Sequence, residues 1–158
     1  MNPSIGLSDG DRRGGVEILS ALLADEYVLY TKTRNYHWNV AGMQFNDLHK
    51  FFEAQYEQLD EIVDEVAERA RSLGGRALGT LAEFAQASRL KEQPGIVPNA
   101  RDMLASLLAD HEALVRQLRV DVQTTMDKHH DAGTSDFLTG LMETHEKMAW
   151  MLRSFLEG

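Results

Sequence analysis

GGRALGTLAEFAQASRLKEQPGIV, residues 74–97, is the stretch on which the fold turns. It separates two pairs of long helical patterns, and it is far longer than either of the other connections. Its own pattern holds one short helical candidate, Leu81 to Ala87, between Gly74–Gly75 and Pro94, with Pro98 just beyond. Glycine commonly follows the last turn of a helix, and proline cannot continue one. The connections near Gly42 and at Asp131–Gly133 are short, so each joins antiparallel neighbours. Two hairpins joined by one long crossover are therefore expected, rather than a bundle in which every connection is tight.

The helices on either side follow from apolar spacing. The first runs from about Asp11 to Asn39, with Val16, Leu19, Leu23, Tyr27 and Tyr30 on one stripe and Ser8 or Asp9 as its cap. The second, from about Phe45 to Leu73, carries Phe45, Leu48, Phe52, Tyr56, Leu59, Val63, Val66 and Ala70. The third, from about Asn99 to Lys128, repeats Met103, Leu107, Leu114, Leu118 and Val122. The fourth, from about Thr134 to Leu156, repeats Phe137, Leu141, Met148, Leu152 and Phe155. The expected architecture is all-α, with a short tail at residues 1–10 and one domain at 11–158. No repeat or low-complexity segment interrupts it.

Composition narrows the chemistry. A chain of 158 residues, 43% hydrophobic and 26% charged, has the size and balance of one soluble domain. No apolar run reaches the ~18 residues of a membrane helix. The N-terminal MNPSIGLSDGDRRGG has no apolar signal core, so a cytoplasmic location is expected. Without cysteine there are no disulfides, thiolate sites or cysteine nucleophiles. A metal site must use His, Asp and Glu, a set suited to iron, manganese or zinc. The net charge of −9 disfavours the DNA backbone and favours cations.

The second helix carries two such pairs, His49/Glu53 and Asp64/Glu68, each at four-residue spacing and so on one face. His37, at the end of the first helix, lies one tight turn from His49. His49 and Asp64 are fifteen residues apart, or ~22 Å along the helix, and within ~60° of each other around it. Metal–ligand bonds are only about 2 Å long. If the five residues act together, the site must lie between two antiparallel copies, with two equivalent sites per dimer. Acidic residues at this spacing are also what a solvated helix face carries, and Asp60, Glu61 and Glu65 make this helix acidic in any case.

His37-Trp38-Asn39-Val40-Ala41-Gly42, then Phe45-x-x-Leu48-His49-x-x-Phe52-Glu53, then Asp64-x-x-Ala67-Glu68-Arg69 and Leu73-Gly74-Gly75, resemble the Dps family of small ferritins. The resemblance returns in Gly133-Thr134-x-Asp136-x-Leu138 and His145-Glu146-Lys147-Met148-x-Trp150, and spans essentially residues 10 to 156. It implies a ferritin-like four-helix bundle assembled as a hollow shell of twelve subunits. It also implies two-fold ferroxidase sites, with His37, His49 and Glu53 from one subunit and Asp64 and Glu68 from its neighbour. Glu53 departs from the family, many of whose members have Asp there. The implied activity is iron oxidation and storage that protects DNA, with hydrogen peroxide as the preferred oxidant and dioxygen slower. Zinc is the expected competitor.

By the same resemblance Asp127, Asp131 and Asp136, around the third turn, mark a three-fold acidic pore through which iron passes; a turn enriched in Asp is also what an ordinary loop carries. DNA-compacting members carry lysine-rich tails; here the N-terminal region offers only Arg12 and Arg13, at the start of the first helix, so DNA binding is expected to be weak or absent. A DNA-compacting shell, or a zinc-binding assembly without oxidase activity, is the alternative. No Glu-x-x-His motif of the larger ferritins occurs, and His111 and His145 fall on apolar faces as core or interhelical histidines.

Overall fold

The computed structural model describes residues 2–157. Its elements are α1 (Asp9–Asn39), α2 (Phe45–Ser72), α3 (Leu81–Ala87), α4 (Ala100–Asp127) and α5 (Ala132–Leu156), with no strand among the described residues. α1 packs along α2 and α4 along α5, and the crossover carries α3 across α1. This is the ferritin-like bundle with one long crossover.

Capping explains the two helix starts that differ from the apolar pattern. Ser8 accepts a hydrogen bond from the Asp11 amide at 3.1 Å, so α1 begins at Asp9 rather than Asp11. Asp131 accepts from the Thr134 amide at 2.9 Å, which draws Ala132 and Gly133 into the first turn of α5. Asn99 caps α4 in the same way, at 2.9 Å from the Asp102 amide. Gly74 ends the α2 turn at φ +87°, a left-handed backbone that glycine adopts without a Cβ penalty.

The core is leucine-rich: Leu19, Leu22, Leu29, Leu48, Leu59, Leu107, Leu118, Leu138 and Leu152 are fully buried, around Phe52. Each such side chain contributes about 1.5–3 kcal/mol by leaving water. Truncating Leu22 to Ala would cost about 2–5 kcal/mol, with the spread set by how far the cavity closes. Phe45, which the apolar stripe places inward, is instead 46% exposed because the helix has only just begun there. Its ring lies against His49.

Polar anchors fasten the crossover. Asp25 of α1 is buried and accepts from Ser88 Oγ at 2.9 Å, the Arg89 amide at 2.6 Å and Arg89 Nε at 2.8 Å. Lys32 Nζ reaches Asp110 at 2.7 Å and the Lys91 carbonyl at 3.3 Å. Phe84 of α3 stacks on Tyr27 at 4.3 Å between centroids. A capping box at Thr80 and Glu83 starts α3. Arg76 beside Glu83, then the Gly79 amide and the Thr80 hydroxyl, hold that carboxyl down at about 2.

Candidate metal centre

The α1–α2 turn sets His37 and His49 against each other in a reciprocal brace. His37 Nδ1 donates to the His49 carbonyl at 2.7 Å, and His49 Nδ1 donates to the His37 carbonyl at 2.8 Å. A carbonyl oxygen only accepts, so Nδ1 carries a proton in both rings, and Nε2 is the atom through which each neutral ring can bind a metal. The rings stack with centroids 3.8 Å apart and planes 18° apart. Holding the second ring nitrogen in this way is how metal-binding histidines are oriented.

Aromatic residues frame the pair. Phe45 stacks on His49 at 5.1 Å, and Tyr56 meets His37 edge-on at 5.2 Å. Burial, then the negative charges of Glu53 and Glu57, push the Tyr56 phenol upward. Glu53 follows His49 by one turn of α2 and is half-buried; Asp64 and Glu68 lie further along α2, exposed. The ion pairs of the described residues all use other carboxylates. Among those residues no three His, Asp or Glu side chains of a single copy converge on one ion position. One copy thus presents two imidazoles and Glu53 toward one end of α2, and Asp64 and Glu68 toward the other.

The sequence profile of the ferritin-like domain matches residues 16–158. The DNA protection during starvation protein 2 of Bacillus anthracis is 36% identical over 141 residues, covering 89% of this chain and 95% of that protein. DpsC from Streptomyces coelicolor superposes with a TM-score of 0.95 at 29% identity, covering 100% of this chain and 91% of that one. The chain belongs to the Dps family.

Two further likenesses fill out the family setting. An uncharacterised low temperature-induced protein of Nostoc sp. is 52% identical over 155 residues, 98% of this chain and 87% of its own length. The Dps protein of Vibrio cholerae O1, described as belonging to a broad superfamily of ferritin-like diiron-carboxylate proteins, has a TM-score of 0.91 at 31% identity, with 99% and 97% covered.

Within this Dps chain the three aspartates expected around a pore are not equivalent. Asp127 and Asp136 are exposed, and Asp127 accepts from Gln123 Nε2 at 2.6 Å. Asp131 is buried, caps α5, accepts from Thr134 Oγ1 at 2.5 Å and pairs with Arg69 at 3.3 Å. Its carboxylate is engaged within the fold. Arg12 is likewise buried, paired with Asp9 and donating to the Leu73 carbonyl at 3.1 Å, which leaves Arg13 as the exposed cation of the first turn.

Sequence reasoning placed His111 and His145 in the core or between helices, as they are, but missed that Glu26 joins them. Glu26 Oε1 lies 2.7 Å from His145 Nε2, and His145 Nδ1 lies 2.9 Å from His111 Nδ1, all three side chains at 0% exposure. The donor atoms run in a line through the His145 ring instead of converging on a point, so one ion cannot reach all three. Burial, then the neighbouring His145, push His111 well below the usual histidine range. The available signal was Glu26 itself, a carboxylate set among the buried Leu22, Leu23 and Leu29.

Proposed function

We propose that this protein oxidises Fe(II) with hydrogen peroxide, and more slowly with dioxygen, at sites shared between two copies, and stores the ferric product. The observation that carries the reading is the His37–His49 brace, which ties both Nδ1 atoms to backbone carbonyls and leaves both Nε2 atoms to a ligand, one turn of α2 before Glu53. Imidazole and carboxylate suit iron, and anionic oxygen ligands favour Fe(III) over Fe(II). Peroxide takes two electrons, one from each of two Fe(II) ions, and ends as water or hydroxide. Asp64 and Glu68 of a second, antiparallel copy would complete each site. The separation along α2 and the absence of a convergent cluster among the described residues of one copy both support that division. Glu53 keeps the charge of an Asp with a longer reach.

The assembly proposed is a closed shell of twelve copies in the cytoplasm. No helix among the described residues is long and apolar enough to cross a membrane. Asp127 and Asp136 are proposed to line the iron path, with Asp131 supporting it from within the fold. DNA contact is weak, because the first turn exposes only Arg13 and the chain carries −9. A mobility shift with plasmid at physiological salt would overturn that part. Zinc competes for the same donors.

A mixing experiment tests the shared site. One variant carries His37→Gly and His49→Gly, the other Asp64→Asn and Glu68→Gln. Each alone should lose iron oxidation. Unfolded together and reassembled at random, half the two-fold pairs are mixed and each regains one complete site, so about a quarter of wild-type activity should return. No recovery in correctly assembled mixtures would place the site within one copy, and full activity in the histidine variant would remove it from this end of α2.

A further inference from the structure

Arg34 stands one turn before His37 on α1, and its guanidinium is surrounded by rings. Its Cζ lies 5.0 Å from the Trp38 ring centroid, 5.5 Å from Tyr56 and 5.6 Å from Tyr30. Nη1 donates to the Tyr30 hydroxyl at 2.7 Å, and Nε is buried without a partner. No ion pair among the described residues uses Arg34. A cation that spends its charge on three aromatic faces, beside a proposed redox site, needs an account beyond packing.

The geometry points to Arg34 as a residue that stops the rings next to His37 from supplying electrons to the reaction. The functional meaning rests on the ferroxidase reading, whereas the electrostatic claim stands on the geometry. Tyr56 touches His37, Trp38 follows it in sequence, and the Arg34 guanidinium lies over both rings. Peroxide needs two electrons. With a single Fe(II) bound, the second electron would come from the nearest ring: Fe(II), indole, hydrogen peroxide and two protons would give Fe(III), an indole radical cation and two waters. A guanidinium over the ring face is attracted to the neutral ring and repelled by its radical cation. Arg34 therefore disfavours ring oxidation and leaves a second Fe(II) as the electron donor. Tyr30 lies in the same contact, its hydroxyl oxygen accepting from Arg34 Nη1.

Trp150 is the internal control. It is 59% exposed against 63% for Trp38, and no cation lies over its ring among the described residues. The test uses the assembled, iron-free protein. A photogenerated ruthenium(III) bipyridine oxidant removes single electrons, and mass spectrometry scores oxidation at each tryptophan, normalised for acrylamide accessibility. In the wild-type protein Trp38 should oxidise about two- to fivefold less than Trp150, the factor of a cation–π contact worth about 0.5–1 kcal/mol at an exposed ring. Arg34→Met should erase that difference, and Arg34→Lys should restore much of it. Equal oxidation of the two tryptophans in the wild-type protein overturns the proposal even if the Met variant fails to assemble, as does an unchanged ratio in a well-assembled variant.

A second arm adds Fe(II) and peroxide. Iron oxidised per peroxide should stay near two in the wild-type protein and fall in Arg34→Met as ring oxidation rises. If the iron-free result holds but neither protein oxidises iron, the ferroxidase reading fails while the role of Arg34 in shielding the rings survives.

Discussion

Two pairs of histidines sit in this bundle, and the partners of their ring nitrogens separate them. At the α1–α2 turn, His37 and His49 each give their Nδ1 proton to a backbone carbonyl, and both Nε2 atoms stay free. In the core, His145 has both nitrogens engaged, by Glu26 and by His111. The first pair keeps its Nε2 atoms available, as the proposed metal site requires, and the second satisfies a buried carboxylate. Residue type does not distinguish them. What the backbone leaves for the second nitrogen does.

The comparison breaks most visibly in the core. His145→Leu strands the Glu26 carboxylate, whose other oxygen already lacks a partner. The variant should lose about 3–5 kcal/mol in denaturant unfolding, while Glu26→Leu combined with His145→Leu should recover most of it. If the double variant is as damaged as the single, the pair is not the unit described here. At the turn the same change of type hits chemistry instead. His37→Gly with His49→Gly should lower peroxide-driven iron oxidation by at least about tenfold, with helix content by circular dichroism unchanged.

Acid sharpens the contrast further. The folded-state affinity of His111 for a proton is depressed, so below about pH 6.5 the unfolded chain binds a proton that the folded chain does not. Stability from this group is complete above the unfolded value and falls as the pH drops, by up to about 1.4 kcal/mol per pH unit. His111→Asn, which keeps a polar group toward His145, should flatten that slope in unfolding measured between pH 7 and 5.

The smallest effects separate the aspartates of the α4–α5 turn. Asp131→Ala should cost about 1 kcal/mol of stability as a lost helix cap, seen in thermal melts. Asp127→Asn with Asp136→Asn should leave stability unchanged and slow iron uptake without weakening iron binding at the α2 site. Unchanged uptake would remove the pore.

Most of the fold was legible in the sequence because long helices announce themselves by spacing, and because the 74–97 crossover fixed the topology. The short α3 was read from Leu81 to Ala87 and forms over those residues. Helix starts were harder to place, since a cap such as Asp131 depends on a side chain bonding to its neighbour's amide. At the site, sequence spacing named His37 and His49 but gave no tautomer, because the brace runs through backbone carbonyls that every residue possesses. In the core, His111 and His145 were legible from their apolar faces, but their link to Glu26 was not. Glu26, His111 and His145 lie on three helices, and only packing brings them into line.

The brace also bears on the order in which the molecule assembles. It links positions only twelve residues apart, both emerging before α4 and α5 are made. Closing so short a loop costs little chain entropy, and loops of about ten residues close within roughly 10–100 ns. The brace can therefore form before α4 and α5 dock, while the Glu26–His145–His111 line must wait for the last helix. Pulsed hydrogen exchange during refolding should show the amides around the first turn protected before those of α5.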